Sequence, residues 1–171
     1  MIIADASVLI ALAKMRRLDL LKLVYDDVLI GPQVKAETVD AGKRSSAPGV
    51  ERIEKALDDG WFQVARLSSK EKNTANSIVS KGGLDAGEAQ SIALASSRRL
   101  MVIIDDRAAR SFAEVMGVAF LGTAGMLYQG FARKQLTLAE LEDAVEELSK
   151  TIWRAPAVVA EVLKKAREAD R

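Results

Sequence analysis

Short runs of consecutive apolar residues alternate along this chain with longer stretches whose apolar positions return at helical spacing. Residues 1–4 form the first run and lead into Asp5; residues 28–30 form the second, closed by Gly31 and Pro32. The strongest run, residues 100–104, leads into Asp105 and Asp106, and residues 118–121 form the last. Unbroken apolar runs of this length predict parallel strands buried on both faces. Residues 61–67 alternate instead, which predicts an edge strand. Between the strands, periodicity predicts helices over 6–15, 18–25, 32–41, 50–59, 69–81, 85–97, 106–116 and 123–133, with a loop at 42–49 rich in Gly, Ser, Lys, Arg and Pro. Pro32 suits a first helical turn, and Asp85 and Glu88 have the spacing of a capping box.

Strands alternating with helices predict an α/β fold, a three-layer α/β/α sandwich with a central, mainly parallel sheet. Beyond Gln135 the pattern is helical only. Leu138, Leu141, Val145 and Leu148 share one face, and a last helix opening at Pro156 carries Val158, Val159, Val162 and Leu163 on its apolar side. The expected organisation is a domain over residues 1–134 and C-terminal helices over 135–171, packed on the core or on a dimer partner.

Composition narrows the chemistry. With 49% hydrophobic and 29% charged residues in 171, the chain has ample material for a core and is not disordered. A formal charge of +1 gives no broad basic face, so nucleic-acid contact would rest on local patches. There is no cysteine and no histidine. That removes disulfides, zinc-thiolate and histidine sites, cysteine nucleophiles and the Ser-His-Asp triad. The apolar start is interrupted by Asp5 and followed, not preceded, by Lys14, Arg16 and Arg17, unlike a signal sequence. No run approaches bilayer length, so a cytoplasmic protein without membrane association is expected.

The acids fall where a parallel sheet collects its ligands. Right-handed crossovers bring all carboxyl ends of the strands to one edge, and two strands end there in Asp5 and in Asp105-Asp106. A single Asp at that place also serves as a helix cap, and for Asp85 the cap is the better reading. Two adjacent acids exceed the need of one cap, since like charges ~4 Å apart repel by about 4 kcal/mol at an effective dielectric near 20. Glu88 lies in a first helical turn, followed by the small and apolar stretch Ala89-Gln90-Ser91-Ile92-Ala93-Leu94-Ala95. A carboxylate at the mouth of such a buried helix calls for a cation.

In order along the chain stand Ile2-Ile3-Ala4-Asp5-Ala6-Ser7-Val8-Leu9-Ile10, Pro32-Gln33-Val34-Lys35-Ala36-Glu37, Leu84-Asp85-Ala86-Gly87-Glu88-Ala89, the run from Leu100 to Arg110, and Gly122-Thr123-Ala124-Gly125-Met126-Leu127. This succession resembles the PIN-domain nucleases, the group that includes the toxins of VapBC-type toxin–antitoxin systems. The last segment fits the closing turn of one prokaryotic branch. Two positions depart from the usual pattern: Glu88 stands where most members carry Asp, and Ile104 where a Ser or Thr often precedes the fourth acid.

The resemblance implies a metal-dependent ribonuclease with Asp5, Glu37, Glu88 and Asp106 as catalytic acids. Asp5, Glu88 and Asp106 would be metal ligands, Glu37 a water-orienting or second-site acid, and Ser7 a supporting hydroxyl. Asp105 is the alternative to Asp106. Oxygen-only ligands suit Mg²⁺ or Mn²⁺. Arg107 and Arg110 are candidates for RNA phosphate, and Lys14, Arg16, Arg17, Lys43 and Arg44 for an extended track, although solvated surface is the better reading for any one of those five. Trp61 and Trp153 read as core or interface residues. RNA, a small antitoxin protein and a second copy of the chain are the implied partners. A PIN-like module that binds RNA or protein without cutting is the alternative. A phosphoaspartate hydrolase is disfavoured because Ser7 stands where its second Asp would, and no Gly-rich nucleotide-binding turn follows the first strand.

Overall fold

The computed structural model describes residues 1–151 and 156–170. Five short strands form one sheet: β1 (Ile2–Ala4), β2 (Val28–Ile30), β3 (Phe62–Val64), β4 (Val102–Ile103) and β5 (Phe120–Leu121). All neighbours are parallel, in the order β3-β2-β1-β4-β5. Ile3 pairs with Leu29 on one side and Val102 on the other, so β1 is the central strand. The alternating 61–67 segment does supply an edge strand.

The strand pleat divides the core between the two faces. Ile2, Ala4, Val28, Ile30 and Ile103 point into one cluster, Ile3, Leu29, Val102 and Ile104 into the other. The first face is covered by α1 (Ala6–Lys14), α2 (Asp19–Tyr25), α5 (Val50–Asp58) and α9 (Thr123–Ala132). The second is covered by α6 (Ser69–Gly82), α7 (Ala86–Arg98) and α8 (Arg107–Val115). The result is the three-layer α/β/α sandwich. α10 (Leu138–Thr151) sets Leu141, Ala144, Val145 and Leu148 into the same cluster as α1 and α9, and α11 (Pro156–Ala169) adds Ala166. Among the described residues no helix is long and apolar enough to cross a membrane. Trp61 lies half-buried against the core, edge-on to Phe62 at 4.3 Å, with the Lys22 ammonium 5.7 Å from its ring centre. Trp153 lies outside the described residues.

The helix expected over 32–41 is longer and interrupted. It begins as α3 (Pro32–Lys35), passes through a π-helical turn at Ala36–Asp40, and resumes as α4 (Ala41–Arg44). The Thr38 hydroxyl donates to the Val34 carbonyl at 2.8 Å, a side-chain bond back into the preceding turn that competes with the regular ladder. Such turns recur at functional positions.

The strand order places a topological switch point between β1 and β4. From β1 the chain builds outward to β2 and β3, then returns to the other side for β4 and β5. The crevice beyond the carboxyl ends at that point is where open α/β sheets bind ligands. Asp5 leaves β1 there, and Asp105 and Asp106 leave β4 there.

Leu141 is fully buried, so Leu141→Ala is expected to lower the unfolding free energy by about 2–5 kcal/mol. Chemical denaturation measures this; a change below about 0.5 kcal/mol would match a surface site and exclude α10 from the core.

Candidate active site at the sheet switch point

Asp5 is the most buried of the predicted site acids, at 3% exposure. It stands between β1 and α1 and serves as the α1 cap. Its Oδ2 accepts from the Ser7 hydroxyl at 3.0 Å and from the Ser7 backbone N–H at 3.4 Å. Its Oδ1 is buried without any hydrogen-bond partner. Burial is the main force raising the Asp5 pKa above the ordinary carboxylate value, and the charge of Asp85 adds to it.

Glu37 reaches the same region from the π-helical turn. Its carboxylate lies over the first turn of α7 at Gly87, where a methyl group would sit 2.8 Å from Oε2 and 3.1 Å from Oε1. A side chain at residue 87 would push the Glu37 carboxylate from this position. Gln33 Nε2 donates to Glu37 Oε1 at 3.0 Å, and Gln90 of α7 accepts the Gln33 backbone N–H at 3.0 Å, tying α3 to α7. Burial raises the Glu37 pKa, and Asp85 and Asp5 raise it further against the Gln33 hydrogen bond.

Glu88 and Asp85 form the reciprocal capping box of α7. The Glu88 N–H donates to Asp85 Oδ1 at 2.8 Å, and the Asp85 N–H donates to Glu88 Oε2 at a longer 3.3 Å. Glu88 is pushed up to about 7, first by burial and then by the charge of Asp85, with Asp106 and Asp5 adding to it. Asp85, which the sequence assigns to capping alone, thus also bears electrostatically on Asp5, Glu37 and Glu88.

The two acids after β4 divide. Asp106 caps α8, accepting from the Ala109 N–H at 2.9 Å. Asp105 turns toward α9, accepting the Thr123 hydroxyl at 2.6 Å and the Thr123 N–H at 3.0 Å. Ile104 offers no hydroxyl to this region, but the buried Thr123 brings one from eighteen residues on. Arg110 approaches Gly122 beside Asp105, where a methyl group on the glycine would lie 3.1 Å from Asp105 Oδ1 and 3.4 Å from Arg110 Nη1. Arg107 opens α8 and is exposed.

Asp85 bears electrostatically on Asp5, Glu37 and Glu88, Asp5 on Glu37 and Glu88, and Asp106 on Glu88, but the acids are not preassembled. Among the described residues no group of three acids is placed to hold a metal ion as it stands. Glu88 and Asp106 are both engaged as caps, so ligation would require their side chains to turn or share an oxygen. The donor set nonetheless fits a hard cation. It is all oxygen, the buried Oδ1 of Asp5 lacks a partner, and no lysine or arginine among the described residues pairs with Asp5, Glu37 or Glu88.

The outlying basic residues separate. Lys14 shares with Glu37 a hollow of about 280 Å³ between α1 and the π-helical turn. Lys43 pairs with Glu54, and Arg17 pairs with Glu147 at 3.6 Å. Arg16 and Arg44 are exposed. Gln33, Asp85, Gly87, Gln90 and Thr123 lie inside the quoted sequence motifs, but none was assigned a role in the site, and Asp85 was read as a cap alone.

The raised Glu88 pKa has a thermodynamic consequence. The folded chain holds this proton more tightly than the unfolded chain, so the associated stability is present below pH 4.5 and is lost as pH rises through about 7. Gln can keep the capping box but does not titrate. Denaturation in EDTA should show the wild type losing stability relative to Glu88→Gln across that window. Parallel profiles would contradict the crowding of acids around Glu88.

A protein-family model described as a PIN domain matches residues 1–168. No curated protein and no solved structure gives a match. The matched span covers all five strands, every acid of the switch-point crevice and almost all of α11. PIN domains are generally nucleases, which agrees with a crevice of carboxylates at the sheet edge. The chain belongs to the PIN-domain family.

Proposed function

We propose that the protein is a divalent-metal-dependent ribonuclease hydrolysing RNA phosphodiester bonds, with Asp5, Glu88 and Asp106 holding the cation directly or through water. The observation that carries this reading is the partnerless Oδ1 of Asp5, buried at the switch point among other acids. Once bound, Mg²⁺ or Mn²⁺ supplies positive charge against the phosphodiester oxygens and makes water a better nucleophile at neutral pH.

The chain's own residues do the remaining work. Ser7 fixes the Asp5 carboxylate, leaving Oδ1 for the cation. Glu37, steered by Gln33 and seated over Gly87, orients the attacking water and accepts its proton. Thr123 holds Asp105 toward α9, which favours Asp106 as the ligand from this pair. Arg107 and Arg110, one turn apart on α8, meet the phosphate. No histidine is needed for any of these roles.

RNA cleavage with Mn²⁺ or Mg²⁺ tests the assignment. Asp5→Asn and Asp106→Asn should each lower the rate by at least about 100-fold, since even loss of groups that merely orient ligands costs 10–100-fold. Unchanged cleavage in both variants would remove these residues from the site. The reading extends to a toxin acting as a homodimer and restrained by a small antitoxin protein. Wild-type expression in a bacterial host should then arrest growth where Asp5→Asn does not; equal growth would remove the toxin role and leave the nuclease.

A further inference from the structure

A second surface lies on the outer face of the sandwich, between α6 and α8. α6 and α8 are separated by a groove of about 570 Å³. On the α6 side stand Lys70, Asn73, Thr74, Ser77 and Lys81, whose spacing of three or four residues makes a single stripe along the helix. Phe112 of α8 forms the opposite wall. No acid lines the groove.

The charge of this stripe is not offset locally. Among the described residues neither Lys70 nor Lys81 forms an ion pair, whereas Lys55, Lys150, Lys164 and Lys165 each pair one helical turn away. The only carboxylate in α6 is Glu71, and it faces inward at 4% exposure, bound to Arg98 Nε at 3.0 Å.

The same ion pair fixes the direction of the groove. Glu71 begins α6 and Arg98 ends α7, so the two helices are antiparallel, and the C-terminal end of α6 comes back to the carboxyl edge of the sheet. Lys81 therefore lies at the site end, shortly before Asp85. α8 leaves that edge at Asp106, and its Phe112 ring rests on Gly82, where a methyl group would be 2.6 Å from Cε2. From Lys81 to Lys70 the stripe extends about 16 Å at 1.5 Å per residue, room for a few nucleotides.

We propose that the α6–α8 groove is a track for single-stranded RNA leading into the carboxylate crevice, an inference that rests on the ribonuclease reading. Lys70 and Lys81 take backbone phosphates. Asn73, Thr74 and Ser77 can both donate to and accept from 2′-hydroxyls, and Phe112 offers an apolar wall to sugar and base faces. This surface replaces the Lys43 and Arg17 positions, whose charges are already paired.

The test is binding of a fluorescently labelled single-stranded RNA to the full chain in EDTA, measured by anisotropy over a range of salt. Lys70→Gln with Lys81→Gln should weaken binding and reduce the slope of log affinity against log salt by about 1.4, at about 0.7 per lost phosphate contact on a single strand. Lys55→Gln with Lys150→Gln removes the same charge elsewhere and should leave the slope unchanged. An equal effect of both pairs, or of neither, overturns the track. A DNA strand of the same sequence should bind more weakly to the wild type; equal affinity overturns the assignment to RNA. Adding Mn²⁺ separates this inference from the activity. Cleavage with an unaltered slope in the Lys70/Lys81 variant refutes the groove alone, whereas groove-dependent binding without cleavage refutes the ribonuclease alone.

Discussion

A carboxylate removed from water must be met by a positive charge, by donors or by a proton, and this protein buries two under contrasting terms. Glu71 is met by Arg98 and by the capping donors of Ser68, and the Arg98 hydrogen bond above all holds it down to about 2. Asp5 is buried as deeply, yet only Ser7 and neighbouring backbone contact it, one oxygen has no partner, and burial drives its pKa up. An unpaired buried charge is among the most unfavourable features a fold can carry. The first arrangement ties α6 to α7 and is complete within the chain; the second leaves one buried oxygen without a hydrogen-bond partner.

The sheet topology determines where that requirement arises. Because β1 is central and the connections reverse between β1 and β4, Asp5 and the Asp105-Asp106 pair leave the sheet at one crevice. α7 then presents its N-terminal turn with Asp85 and Glu88, and the π-helical turn delivers Glu37 onto Gly87. Four of these acids have a structural role of their own: Asp5, Asp85 and Asp106 cap helices, and Glu88 completes a capping box. The electrostatic crowding is what capping does not explain. Caps need one acceptor each and do not require the charges of Asp85, Asp106 and Asp5 to bear on Glu88 as they do. The cost falls on carboxylates that a cation could relieve together.

Much of the fold was legible because it depends on local pattern. Apolar runs gave β1, β2 and β4, alternation marked the edge strand β3, and the Asp85–Glu88 spacing marked the capping box. Strand polarity alone placed Asp5 and Asp105-Asp106 on one edge. What the pattern did not reveal depends on residues far apart in the chain. The π-helical turn at Ala36–Asp40 is only five residues long, too short for its wider period to register in the spacing of apolar positions. The Gln33–Gln90 and Thr123–Asp105 bonds join elements 57 and 18 residues apart, which no local window contains. The pairings of Lys43 with Glu54 and of Arg17 with Glu147 likewise show which basic residues are already committed.

Calorimetric titration of the full chain with Mn²⁺ measures, without any substrate, whether Asp5 takes up a cation. The wild type should bind Mn²⁺ with a saturable heat signal, and Asp5→Asn, which keeps the shape of the side chain but not its charge, should lose that signal. Identical titrations of the two proteins, or no binding by the wild type, would contradict cation binding at Asp5.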